Sequence, residues 1–194
     1  NCFSARSIDL PRMVKMKKRK QKRAEPKDTT AKTNRTYEDF QKYIELHPDL
    51  PIVEMDTVEG LQEENDCILT LLWRKSKFML IFKLKSQTTD EVTRIFEYLQ
   101  VMLPYEDYKK LFQVILTDNG HEFFDVLNIE CNHKTGEQIT KVFYCNPHMS
   151  CQKGMIEKNH EFIRYILPKG SSFKNIYQED CDLIMKNIKR TALR

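Results

Sequence analysis

No apolar run in this chain of 194 residues approaches the roughly 18–20 residues that a membrane-spanning helix requires. The first residues carry no apolar stretch of the secretory kind, which argues against a signal peptide. The chain opens on Asn rather than Met, so a fragment or a processed product is expected. Cys-x-x-Cys pairs are missing too: the six cysteines, at 2, 67, 131, 145, 151 and 181, are scattered. Cys131-Asn132-His133 is too thin for a zinc site, which needs four ligands in paired spacing. These absences point to reduced cysteines in a cytosolic protein. There is no visible internal repeat.

What is there is an ordinary globular composition, 40% hydrophobic and 31% charged, long enough for one domain and a tail. The net charge of +4 conceals a division. Arg12 to Lys27 holds nine Lys/Arg and one Glu, hence +8, which leaves −4 for the rest of the chain. A basic arm on a slightly acidic body suits a polyanion, most simply nucleic acid, with Lys17, Lys18, Arg19 and Lys20 as its continuous run. A solubilising tail accounts for the same charge equally well. We read residues 1–35 as arm, 36–190 as a folded core, and 191–194 as the start of a further segment.

Periodicity divides the core. Thr36 to Asp39 has capping-box spacing ahead of a helix with Tyr37, Phe40, Tyr43 and Ile44 on one face, stopped by His47-Pro48. Leu50–Val58 alternates as a strand and puts Glu54, Asp56 and Val58 on one side. Two carboxylates there are either held by a cation or lie on a solvated edge strand, and the edge is the simpler reading. Cys67–Trp73 and Lys77–Leu84 form a hairpin, and Val92, Ile95, Phe96, Leu99, Met102 and Leu103 line the core face of the next helix. A short helix, at about 106–111, leads to Val114-Ile115-Leu116-Thr117, a buried strand that ends on Asp118 before an Asn-Gly turn. Residues 123–141 read as loop, 142–144 as a short strand, 151–166 and 173–189 as helices. The order is β-β-β-α-β-β-α-α, a mixed α/β sheet with helices packed on it.

Three carboxylates stand in deliberate settings: Glu54-Met55-Asp56-Thr57-Val58-x-Gly60, Leu116-Thr117-Asp118-Asn119-Gly120-x-Glu122-Phe123, and Gln152-Lys153-Gly154-x-x-Glu157-x-Asn159. With Arg164-Tyr165-Ile166-Leu167-Pro168-Lys169-Gly170-Ser171-x-Phe173, their order resembles the insertion sequence thirty family of DDE transposases over about residues 37–190. The resemblance implies a ribonuclease H-like fold: three antiparallel strands followed by parallel ones, with helices on both faces. It implies Asp56, Asp118 and Glu157 as catalytic ligands of two Mg²⁺ ions, with Mn²⁺ as a substitute. Two such ions stabilise charge on the attacking and leaving oxygens of phosphodiester transfer, and Mg²⁺ favours carboxylate oxygens. Water attack would free a 3′-hydroxyl at the element end, which then attacks target DNA. The same resemblance implies a homodimer or higher assembly on DNA terminal repeats and target, in a bacterial cytoplasm at the nucleoid.

Glu157, His160, Glu161 and Arg164 share a helix face, and Lys153 precedes Glu157 by one turn. The resemblance implies that Lys153, Lys158 and Arg164 contact phosphate, while His148 and His160 are expected to shape the pocket. Lys158 departs from the Asn that family members commonly place after the glutamate, and Met155-Ile156 are bulkier than usual. A rival reading is a non-catalytic DNA-binding remnant, and a third is a nuclease that cuts without joining.

Overall fold

The structure, a computed structural model, describes residues 33–192. The basic arm with Lys17, Lys18, Arg19 and Lys20 lies outside the described residues, as do residues 193–194. Thr36 opens α1 (Tyr37–Leu46) by the expected reciprocal bonds: its Oγ1 accepts the Asp39 amide at 3.2 Å, and Asp39 Oδ2 accepts the Thr36 amide at 3.0 Å.

The sheet begins with β1 (Ile52–Glu59), β2 (Cys67–Trp73) and β3 (Met79–Leu84), each antiparallel to the one before. Next come α2 (Thr89–Met102) and α3 (Tyr105–Leu111), which carry the chain over to β4 (Val114–Thr117), parallel to β1. A short α4 (Val126–Glu130) precedes β5 (Lys141–Tyr144), parallel to β4. Two helices follow, α5 (Gly154–Ile166) and α6 (Gln178–Ala192). The strand order is β3-β2-β1-β4-β5. The expected mixed sheet is present, but β1 is its central strand. That overturns the edge-strand reading of Glu54 and Asp56.

Alternation along the strands sends side chains to two covered faces. Val53, Met55, Leu69 and Ile115 meet Val92, Ile95, Phe96 and Leu99 of α2 on one side. On the other, Ile68, Leu72 and Ile81 pack under Ile156 and Ile163 of α5 and Ile184 and Ile188 of α6. Farther along that side, Phe40 of α1 covers Val114, Leu116 and Phe143. All seven residues of β2 are buried, as a strand covered on both faces requires.

Three boundaries differ from the sequence reading. Residues 123–141 hold α4 and a bridge between Cys131 and Gln138 rather than loop alone, because a five-residue helix is too short to display a period. Buried Glu130 pins that region by accepting the Val142 amide at 2.8 Å and Arg35 Nη2 at 2.6 Å. Helix α5 starts at Gly154 after a 3₁₀ turn at Ser150–Lys153, and α6 starts at Gln178, where Asp180 Oδ2 accepts the Tyr177 amide at 2.9 Å.

All five described cysteines are free thiols. Burial pushes the Cys67 and Cys145 thiols up to about 12 and Cys181 up to about 11, whereas Cys151 is exposed. Alkylation followed by peptide mass spectrometry is expected to label Cys151 in the native protein and to reach Cys67, Cys145 and Cys181 only after denaturation.

Candidate active site

Adjacent parallel strands place two carboxylates together. Asp56 lies on β1, and Asp118 follows the last residue of β4. Each is oriented through one oxygen: Asp56 Oδ1 accepts the Thr57 amide at 2.8 Å, and Asp118 Oδ1 accepts the Gly120 amide at 3.0 Å. The second oxygens, both Oδ2, turn to the ammonium of Lys153, at 3.2 Å from Asp56 and 3.5 Å from Asp118. Lys153 also donates to the Met55 carbonyl at 3.3 Å, and its side chain is only 4% exposed. Asp118 is the open member of the pair at 48% exposure, against 17% for Asp56. Burial pushes the Asp56 carboxyl up to about 6, against the pull of the Lys153 charge, while the neighbouring Asp118 charge adds to the rise.

His160 flanks the same acid. Its Nδ1 is 3.9 Å from Asp56 Oδ2, and its Nε2 is 2.7 Å from Thr70 Oγ1. Thr70 donates to the Asp56 carbonyl at 3.0 Å, which assigns Nε2 as the donor toward the hydroxyl. Burial, reinforced by the Lys153 and Arg164 charges, holds His160 down to about 3, so the ring is neutral at pH 7. The ring stands beside Asp56 and is not among the residues that line the cleft over the pair. His148 is exposed, at a φ of 62°, and is not part of the pair's surroundings.

Helix α5 is docked onto this pair by a carboxylate one alternation back along β1. Glu54 is buried; its Oε1 accepts Arg74 Nε at 2.7 Å and its Oε2 accepts the Ile156 amide at 2.7 Å. Arg74 also donates to the Gln152 carbonyl at 2.8 Å, so one ion pair anchors the start of α5 beside Asp56. The cation that the sequence left open for Glu54 is therefore Arg74.

The site residues read from sequence do not all converge. Glu157 lies in the first turn of α5, partly buried, and makes no hydrogen bond or ion pair among the described residues. Lys158 is exposed, and Arg164 Nη2 donates to the Glu59 carbonyl at 3.0 Å. Among the described residues there is no group of three or more His, Cys, Asp or Glu set to hold a metal. Two carboxylate oxygens directed at one cation position do fit a hard divalent ion. The donors present are Asp56 and Asp118.

A cleft of about 590 Å³ opens over the pair and is floored by Glu122. Glu122 is buried; Oε1 accepts Thr57 Oγ1 at 2.8 Å and Gln87 Nε2 at 2.7 Å, while Oε2 has no hydrogen-bond partner among the described residues and lies 3.6 Å from His121 Nδ1. The Asp-Asn-Gly-x-Glu spacing marked this residue without giving it a role. A Cβ on Gly120 would stand 2.5 Å from Glu122 Oε2. We expect Gly120→Ala to cost about 1–3 kcal/mol by forcing that packed side chain aside. Thermal unfolding should also find Gly120→Ala/Glu122→Ala less costly than the sum of the two single changes. A larger groove of about 1000 Å³ lies elsewhere, between β3 and α2–α3, with Trp73, Phe78, Leu80 and Tyr98 in its walls. It is mainly apolar, and the Asp56–Asp118 pair lies in the smaller cleft.

The central-strand acid, the second acid beyond the adjacent parallel strand, and the β3-β2-β1-β4-β5 order define a ribonuclease H-like core. A chain of the simian T-cell lymphotropic virus intasome in complex with PP2A regulatory subunit B56 gamma, solved by cryo-electron microscopy, has this fold. It matches 70% of this chain and 48% of its own length with a TM-score of 0.50 and 13% identity. In sequence, the chain is similar to transposases of insertion sequence elements, those of IS30 among them. It is 30% identical over 131 residues to transposase InsI for insertion sequence element IS30C of Escherichia coli, covering 68% of this chain and 31% of that protein. It is 26% identical over 172 residues to the probable transposase for insertion-like sequence element IS1161 of Streptococcus salivarius, covering 88% of this chain and 45% of that one. The chain thus spans less than half the length of either relative. No protein-family profile matches it. Among the described residues no helix is long and apolar enough to cross a membrane.

Proposed function

We propose that this chain is the catalytic core of a DNA transposase that hydrolyses and transfers phosphodiester bonds at insertion-sequence ends. The observation that carries this reading is the pair of Oδ2 atoms of Asp56 and Asp118 directed at one cation position. Asp56 and Asp118 would hold Mg²⁺, or Mn²⁺ in its place, with Glu157 as the further ligand on α5. When bound, a pair of such ions stabilises negative charge on the attacking and leaving oxygens.

The chain's own residues supply orientation. The Thr57 and Gly120 amides fix the two carboxylates, and the Glu54–Arg74 pair fixes the start of α5. Neutral His160 closes one side of Asp56 without adding charge. Lys158 and Arg164 of α5 would contact the DNA backbone, with Lys17, Lys18, Arg19 and Lys20 of the basic arm as further contacts. The partners are DNA ends and target DNA, engaged by a dimer or a higher assembly in the cytoplasm, at the nucleoid.

A non-catalytic DNA-binding role, carried by Lys158, Arg164 and the basic arm, is the second reading. Short duplex DNA incubated with the chain and Mn²⁺ separates the two. Nicked and joined products support the transposase; nicked products alone indicate a nuclease. Firm DNA binding without either product, in Mg²⁺ and in Mn²⁺, supports the non-catalytic role.

A further inference from the structure

We infer that Lys153 is a tethered cation that fills the Asp56–Asp118 position at rest and must be displaced by the divalent ion. The inference rests on the reading of that pair as a metal site. Its basis is the set of contacts at one atom: Nζ lies 3.2 Å from Asp56 Oδ2, 3.5 Å from Asp118 Oδ2 and 3.3 Å from the Met55 carbonyl. An ammonium so buried is stable only with compensating charge, and the two carboxylates provide it. Conversely, without Lys153 the pair would be like charges facing a single position, a costly arrangement unless another cation enters.

A divalent ion and the ammonium cannot share the position, because both need the same two Oδ2 atoms and would repel each other. Lys153 immediately precedes α5, and Glu157 lies one turn further along that helix. The residue that fills the site and the expected further ligand thus lie one turn apart across the start of α5. A lysine suits the exchange: its charge is compact and rides on a flexible stem. The phosphate contact expected of Lys153 from its motif is open only to the displaced side chain, since the resting one is buried.

Two measurements on the full chain test this. The first is Mn²⁺ binding, followed by electron paramagnetic resonance, in the wild type, Lys153→Met and Asp56→Asn. Lys153→Met is expected to bind Mn²⁺ about tenfold more tightly or better, the factor by which a competent state populated at a tenth or less weakens apparent affinity. The second is amine acetylation of the wild type with and without Mn²⁺, read at Lys153 by peptide mass spectrometry. The ion should increase labelling of Lys153 severalfold while leaving exposed lysines such as Lys75 unchanged.

Mn²⁺ binding that Asp56→Asn abolishes but Lys153→Met leaves equal or weaker would overturn the inference and leave the metal site standing. So would Lys153 remaining protected with Mn²⁺ bound. Absence of Mn²⁺ binding in the wild type and Lys153→Met, or binding unchanged in Asp56→Asn, would overturn the metal reading and the inference with it. The acetylation needs no variant and decides the matter if Lys153→Met does not fold.

Discussion

Asp118→Asn and Asp56→Asn are each expected to lower DNA nicking and joining by roughly 10⁴-fold or more, the scale seen when one member of a catalytic group acting as a unit is removed. The two substitutions change little in shape, yet each replaces one anionic oxygen of the pair with a neutral amide. In Asp118→Asn the Gly120 amide keeps an acceptor, so the turn after β4 is retained. Asp118 is also the more exposed member, and its replacement leaves the packing of the sheet alone. Product formation in Mn²⁺, followed beside thermal unfolding, distinguishes lost chemistry from lost structure. Substantial transfer by a well-folded Asp118→Asn would remove Asp118 from the catalytic group. Equal loss in both variants with unchanged DNA binding would place both acids in the chemical step.

Glu54→Ala is expected to be the most destabilising single change at the site. It leaves Arg74 without its carboxylate and the Ile156 amide without its acceptor in the buried seam between β1 and α5. Breaking a buried pair from one side costs about 3–5 kcal/mol. For a domain of this size that corresponds to a fall in Tm of roughly 10 °C. Glu54→Gln keeps an acceptor for the Ile156 amide while losing the charge toward Arg74, and its cost should be intermediate. Because the same contacts seat the start of α5, Glu54→Ala should also lower transfer activity below what the remaining folded fraction accounts for. Calorimetry and the joining assay on one preparation measure both. A Glu54→Ala protein as stable as the wild type would mean that the ion pair does not anchor the helix.

Local pattern made much of the architecture legible. The Thr36–Asp39 spacing gave the first helix its start, and the alternation through Ile52–Glu59 put Glu54 and Asp56 on one face. Val114–Thr117 running into Asp-Asn-Gly identified a buried strand with an acid at its end, which is where β4 stops. Helix boundaries at 150–154 and 173–178 were less legible. There a 3₁₀ turn and a capped loop, both short, are set by hydrogen bonds rather than by an apolar period.

The sequence by itself determined the type of the longer elements and the face on which each acid stands, because these depend on neighbours within a few positions. Only the tertiary structure decided that β1 is central, that Arg74 neutralises Glu54, and that Lys153 enters the Asp56–Asp118 pair while Glu157 stays outside it. The physical reason is separation along the chain. Glu54 meets the Ile156 amide across 102 positions, and Lys153 reaches the Met55 carbonyl across 98. No local period records which charge will be nearest when two such segments pack. That is settled by the sheet order and by the seating of α5, where burial makes each unpaired charge costly enough to select its partner.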